Sequence, residues 1–285
     1  MQKTAFTNAI AIITGAASGM GQQMCLQAAQ RGAARVIGAD INEQGLQETQ
    51  NLAKAQNLNI EIHRLDVGNA ADIEQFAAQI LPTLNNQKLI LINNAGVALA
   101  SGHFEHTDLP DFEWLLNINL WGVIRMTKAF YPYFIAQQQG HIVNISSVFG
   151  LAGISSQSAY CTAKFGVKGF TESLRMELAG TNIHTTCVHP GGIKTNIANN
   201  TVAKGSFVTT EMQKKGAQEF EKIARTTAPK AAQLILDAVE KRKKRLVIGI
   251  DGHVLDWLTR LLPVAYTNLL EKQLNKAFNN PYKKQ

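Results

Sequence analysis

Short apolar runs alternate along this chain with longer segments in which apolar residues recur at helical spacing. Runs of strand length occupy 9–14, 35–39, 60–65, 88–93, 140–146, 182–189 and 245–250, and most are apolar on both faces, as strands buried inside a parallel sheet must be. Between them, 19–30, 42–56, 70–81, 111–137, 156–179 and 229–241 carry the period of helices that pack on a sheet. Seven strands joined by helical connections predict one α/β domain over 1–285, a doubly wound seven-stranded parallel sheet with helices on both faces. The stretch 194–228 is polar, has no clear period and exceeds the length of a compact connection, so it is expected to be a lid within that domain. Residues 251–285 are expected to form a basic amphipathic helical extension.

Composition narrows the reading. The 285 residues are 45% hydrophobic and 17% charged, enough for a large core and unlike an extended disordered chain. No apolar run reaches the roughly 18 residues of a membrane span, and the opening segment lacks the pattern of a secretory leader. The expected location is the cytoplasm. Cys25, Cys161 and Cys187 are scattered without a CxxC pair, which argues against a disulfide framework or a zinc cluster. The formal charge of +7 is confined to 241–285, which hold ten Lys/Arg against three Asp/Glu, while 1–240 hold 18 of each. A basic protein of this kind is not read as a nucleic-acid binder, because the cluster lacks stacking partners and a recognisable module.

The first strand runs directly into Thr14-Gly15-Ala16-Ala17-Ser18-Gly19-Met20-Gly21, a glycine-rich turn that opens a helix. Gly15 permits a tight turn, Gly19 lets backbone approach a pyrophosphate and Gly21 allows close helix–sheet packing; Ser18 and Met20 fall in the same cofactor-binding turn. The second strand leads to Asp40, nineteen residues beyond Gly21, where a carboxylate can accept from both hydroxyls of an adenosine ribose and repel a 2′-phosphate. Ser18, Ile41 and Asn42 offer no cation for that phosphate, so NAD is expected over NADP. Asp66 and Val67 at the third strand end suit an adenine amino contact and an apolar wall, although Asp66 could equally cap the next helix. Asn93, Asn94, Ala95 and Gly96 end the fourth strand, where small residues leave room for ribose.

The candidate chemistry lies on another helix. Tyr160 and Lys164, four residues apart, leave one helix face, and an ammonium beside a phenol is expected to lower its pKa from about 10. Ser147 follows the fifth strand, thirteen residues earlier, and can hydrogen-bond a carbonyl or alcohol oxygen while Tyr160 exchanges its proton. Asn119, on the preceding helix, is expected to hold a water that links Lys164 to solvent. Each alone has a plainer reading: an interface tyrosine, a solvated lysine, a packing asparagine.

Together, the 14–21 turn, Asp66, the 93–96 tetrapeptide, Asn119, Ser147, Tyr160, Lys164 and Pro190-Gly191 resemble the short-chain dehydrogenase/reductase family in order and spacing, over roughly 8–200. That resemblance implies an extended Rossmann fold and hydride transfer between a nicotinamide and an alcohol or carbonyl carbon. It implies that Ser147 orients the substrate oxygen, Tyr160 is the acid/base, Lys164 lowers its pKa and binds the nicotinamide ribose, and Asn119 serves the relay. Pro190, Gly191, Ile193 and Thr195 match the segment that holds the carboxamide. It also implies a homodimer or homotetramer built through 111–137 and 156–179. Gly192 and Cys161 depart from the family pattern without removing a required group; Cys161 is expected to be a packing residue.

The substrate is expected to be an apolar alcohol or ketone, from Leu99, Phe149, Leu151 and Ile154 near the site, unless a lid cation such as Lys204 or Lys214 reverses this. His103 and His106 are expected to be solvated rather than metal ligands, and His189 structural. For the tail, the run Lys241-Arg242-Lys243-Lys244-Arg245 followed by Val254-Leu255-Asp256-Trp257-Leu258-Thr259-Arg260-Leu261-Leu262-Pro263, then Tyr266 and Leu269-Leu270, leaves two readings: peripheral contact with anionic lipid, or packing on its own domain or a partner subunit. Against the NAD-linked enzyme stand an NADPH-linked carbonyl reductase and a non-catalytic dinucleotide-sensing protein.

Overall fold

β1 (Ile10–Thr14) and β4 (Leu89–Asn93) are buried at every position, because each is covered by helices above and below and flanked by strands on both sides. The computed structural model describes residues 4–100, 102–195, 202–203 and 224–277, with backbone alone at 202–203 and 272–277. The remaining strands of the sheet are β2 (Arg35–Asp40), β3 (Glu61–Arg64), β5 (Gln139–Ile145), β6 (Asn182–Pro190) and β7 (Arg245–Ile248). Their spatial order is β3-β2-β1-β4-β5-β6-β7 and every pairing is parallel. The order reverses between β1 and β4, and a crevice opens there beyond the strand ends. This is the Rossmann-type α/β fold that the alternating pattern predicts.

Two apolar layers sandwich the sheet. Met24 and Cys25 of α1 (Gly19–Gln30), Leu46 of α2 (Glu43–Lys54) and Ile235 of α7 (Ala228–Glu240) fill one side. Phe76 of α3 (Ala70–Ile80), Phe130 and Phe134 of α5 (Gly122–Gln137) and Leu174 of α6 (Ser158–Glu177) fill the other. Asn42 and Asn69 start α2 and α3 by accepting hydrogen bonds from Gly45 N and from Ala71 and Asp72 N.

The helix expected over 111–137 is three pieces: α4 (Leu109–Leu116), a π turn at Asn117–Trp121, and α5. An inserted π turn leaves the hydrophobic period on either side intact, so the sequence pattern does not reveal it. Most of the lid expected over 194–228, with Lys204 and Lys214, lies outside the described residues. Its ends are tied together, since Ile193–Lys194 pairs with Thr226–Thr227. The extension forms α8 (Ile250–Leu261) and α9 (Tyr266–Ala277). Among the described residues no helix is long and apolar enough to cross a membrane.

Candidate active site

The glycine turn is shaped by backbone that residues with a side chain rarely adopt. Gly15 and Gly19 have φ of +70° and +55°, in the left-handed region. A Cβ on Gly21 would lie 1.9 Å from the Gly15 carbonyl oxygen, so α1 rests directly on the turn. Thr14 Oγ1 accepts from the backbone N–H of both Asn94 and Ala95 at 3.0 Å, and Asn94 Nδ2 donates to the Thr14 carbonyl at 2.9 Å. These bonds join the ends of β1 and β4 across the point where strand order reverses. Sequence reading gave Asn94 no separate part; its signal was only its place in the 93–96 tetrapeptide. Ser18, the first residue before α1, makes no side-chain cap, and no acidic residue stands in the first turn. The leading amides and the positive helix end therefore remain available to an anion. A glycine cradle with uncapped amides fits a dinucleotide pyrophosphate.

Asp40 closes β2 facing this turn: Oδ2 accepts from Ala17 N at 3.0 Å and Oδ1 from Asn42 N at 2.9 Å. Each oxygen keeps a lone pair for a further donor. Asp66 Oδ1 accepts from Gly68 N at 2.8 Å and shapes a turn, while Asn69 caps α3, so Asp66 is not that helix's cap. Val67 is buried against Gly122, whose Cβ would meet the Val67 carbonyl oxygen at 2.9 Å. Asn93 has a structural part as well. Its side chain is buried, where Nδ2 donates to Thr127 Oγ1 at 3.0 Å and to Asn144 Oδ1 at 2.8 Å, so it braces β4 to β5 in addition to standing at the strand end. The Ile193 side chain packs into the core, and that of Met20 is partly buried against it.

Lys164, Tyr160, Ser147 and Asn119 converge beyond the ends of β4 and β5. Ser147 Oγ accepts from Phe149 N at 3.1 Å and stands near the Tyr160 phenol, whose ionisation it eases. Lys164 Nζ is buried, donates to the Ile145 carbonyl at 3.0 Å and lies 5.6 Å from the Tyr160 ring centroid. A Cβ on Gly96 would meet Asn119 Oδ1 at 3.2 Å and Lys164 Nζ at 3.6 Å, so the β4 end must be small where these groups meet. Phe149 stands edge-on to Tyr160 with centroids 6.0 Å apart. Leu99 is packed beside Ala159, Ala163 and Tyr160, and Leu151 is buried, so of the expected apolar lining Phe149 has the direct contact with the tyrosine ring.

One expectation about these groups changes. Burial pushes the Tyr160 phenol up to about 12, Ser147 offsets part of this, and Lys164 is not among the causes. Burial at the same time lowers the Lys164 ammonium to about 8. The expected lowering of the phenol by Lys164 is therefore absent from this geometry, because Nζ is directed to a carbonyl rather than to the phenol oxygen. The side chain of Asn119 is partly committed: Oδ1 accepts from Val97 N and Nδ2 donates to Val97 O, both at 2.8 Å. It is a strut for the β4 end, and one lone pair of Oδ1 and one N–H of Nδ2 are left for a further partner such as a water.

The 190–195 segment reaches back to the glycine turn, where a Cβ on Gly19 would meet the Thr195 side chain at 3.2 Å. Pro190 ends β6, and Gly191 N donates to the Ile248 carbonyl at 2.9 Å. Asp251, in the first turn of α8, was not anticipated: Oδ2 accepts from Gly192 N at 2.8 Å and would lie 2.3 Å from a Cβ on Gly191. His189 Nδ1 donates to the Ser147 carbonyl at 3.1 Å, and burial depresses its pKa to about 4, in keeping with a structural residue. Cys161 is buried and burial raises its pKa, as befits packing. His103 and His106 lie near Ser156 Oγ (3.3 Å) and Glu105 (3.0 Å); among the described residues no cluster of three metal-ligating side chains exists.

Residues 9–206 match the model of the short chain dehydrogenase family. SadH of Mycobacterium tuberculosis is 37% identical over 279 residues, covering 96% of this chain and 98% of its own. A short chain dehydrogenase/reductase from Burkholderia phymatum in complex with NAD superimposes with a TM-score of 0.78 at 25% identity, over 99% of both chains. The closed form of serine dehydrogenase complexed with NADP+ gives 0.73 at 26% identity, over 84% of this chain and 94% of that one. With its glycine cradle at the reversal of an all-parallel sheet, the chain belongs to the short chain dehydrogenase family and is an oxidoreductase that binds a nicotinamide dinucleotide.

Proposed function

We propose that this protein is an NAD-linked alcohol dehydrogenase or carbonyl reductase acting on an apolar alcohol or ketone. The observation that carries the reading is the buried Lys164 ammonium 5.6 Å from the Tyr160 ring, with Ser147 near the phenol, at the sheet end that also holds the glycine cradle. The dinucleotide, when bound in that cradle, supplies the hydride chemistry. Ser147 holds the substrate oxygen, and Tyr160 takes the proton from an alcohol or returns it to a carbonyl oxygen. Lys164, whose ammonium is bonded to the Ile145 carbonyl in this structure, lowers the phenol's pKa when it turns toward the phenol oxygen in the loaded enzyme. Asn119 is a positioning residue that fixes Val97 and so the β4 end against which Lys164 lies.

Asp40 supports NAD over NADP. Its carboxylate is fixed at the end of β2 beside the glycine turn, with no arginine or lysine within ion-pair distance among the described residues. A 2′-phosphate there meets a negative charge. The apolar substrate class rests on Phe149 against Tyr160 and the adjoining Ile154. A homodimer or homotetramer through α4–α5 and α6 is supported by exposed Trp121, Phe165 and Met176 on those helices. The test is NADH formation with a panel of secondary and long-chain alcohols, wild type against Tyr160→Phe. Equal rates in the two proteins overturn the assignment.

A further inference from the structure

Helix α8 presents its apolar side to solvent. Ile250, Val254, Trp257 and Leu261, spaced by four, three and four residues, fall within about 60° of one another on the helix. They are 75, 60, 64 and 70% exposed. With His253, Leu258 and Leu262 they line an open apolar groove of about 620 Å³. The opposite face already holds the helix to the domain. Gly252 is buried where a Cβ would meet Val247 and Val148 side chains at 2.9 and 3.0 Å, and Asp256 grips Arg245 through bonds of 2.6 and 2.7 Å. The exposed stripe is thus not the side by which α8 packs on its own domain.

Cationic charge stands beside it. Residues 241–244, Lys-Arg-Lys-Lys, are all exposed and run directly into Arg245, whose partner Asp256 is the neighbour of Trp257. The ion pair, on the side of α8 away from the stripe, ties the end of the basic cluster to the helix, and Arg260, which also bonds Asp256, adds a further cation on the same helix. An apolar stripe with an interfacial tryptophan and adjoining lysines matches a surface that is apolar within and anionic at its rim.

We propose that this face docks on an anionic lipid bilayer, with the α8 stripe in the acyl boundary and residues 241–244 at the headgroup phosphates. A second copy of the chain would satisfy the stripe but would bring another set of the same cations to the contact. The bilayer satisfies both halves.

The experiment is co-sedimentation of the full-length protein with vesicles of phosphatidylcholine alone or mixed with phosphatidylglycerol, at low and high salt, with tryptophan emission recorded in parallel. Binding to the anionic vesicles is expected to exceed that to neutral ones by about tenfold or more and to weaken as salt rises. A blue shift is expected in the wild type and lost in Trp257→Ser, with Trp114 and Trp121 retained in both. Val254→Ser and the triple change Lys241→Ser, Lys243→Ser, Lys244→Ser are each expected to lower binding about tenfold, with circular dichroism and NAD-linked turnover in solution unchanged. No binding, equal binding to both vesicle types, or binding indifferent to both sets of variants overturns the proposal. Light scattering that shows a dimer dissolved by Val254→Ser, without vesicle binding, assigns the stripe to a second copy and overturns it as well.

Discussion

The Lys164 ammonium lies 5.6 Å from the centroid of the Tyr160 ring, yet it gives its hydrogen bond to the Ile145 carbonyl. The two side chains share a helix face, as their spacing requires, but Nζ is turned to that carbonyl and Ser147 is the group that eases ionisation of the phenol. In the protein without cofactor, Tyr160 is therefore expected to ionise well above the ordinary phenol, at about 12. An ultraviolet phenolate titration, wild type minus Tyr160→Phe, reads this directly. A difference signal centred below 10 would show that Lys164 turns toward the phenol in solution.

The proton-transfer role of Tyr160 predicts that Tyr160→Phe lowers kcat by about 10²- to 10⁴-fold. NAD affinity, measured by quenching of protein fluorescence, is expected to stay within about threefold, because the cradle is built by backbone at Gly15 and Gly19. Parallel loss of binding and turnover would place Tyr160 in cofactor retention rather than in proton exchange.

Asp40→Ser removes a fixed negative charge from the β2 end while the hydroxyl can still meet Ala17 N or Asn42 N. The ratio of kcat/KM for NAD to that for NADP is expected to fall by roughly tenfold or more. An unchanged ratio would mean that Asp40 does not face the adenosine ribose.

Two glycines separate close approach from helix propensity. Gly21→Ala puts a Cβ 1.9 Å from the Gly15 carbonyl oxygen and is expected to cost about 1–3 kcal/mol, with weakened NAD binding. Gly169→Ala, in the exposed middle of α6 with nothing within 4 Å, is expected to gain up to about 1 kcal/mol. Thermal melts of the two variants should move in opposite directions.

Acid should destabilise the fold before its carboxylates titrate. His189 and His141 are buried and neutral, with pKa values depressed by burial to about 4 and about 3 from 6.5. Below 6.5 the unfolded chain binds protons that the folded chain refuses, so stability falls as pH drops from 6.5 toward 4, by up to about 1.4 kcal/mol per pH unit for each histidine. Asp256, lowered to about 2 by its hydrogen bonds with Arg245 while burial opposes the shift, contributes stability that is lost only below about 4. Urea melts between pH 7 and 5 should show the slope, and His189→Gln should reduce it.

Features set by neighbours in the chain were legible without a structure. Apolar runs, the helical period between them and the glycines of the 14–21 turn act within a few residues, so they mark seven strands, their helices and the anion cradle. The four-residue spacing of Tyr160 and Lys164 likewise guarantees one helix face. What that face meets is a matter of packing. Asn119 is placed on a helix by the sequence, but its bonds to Val97, 22 residues away, follow only from the fold. Asn93 is placed at a strand end by the sequence, but its bonds to Thr127 and Asn144 likewise follow from the fold, and Asp251 meets Gly192 only because β7 lies beside β6. Local periodicity specifies elements and their faces; a polar side chain's partner is chosen by whichever donor or acceptor the folded chain buries beside it, and only the tertiary structure brings that partner into reach.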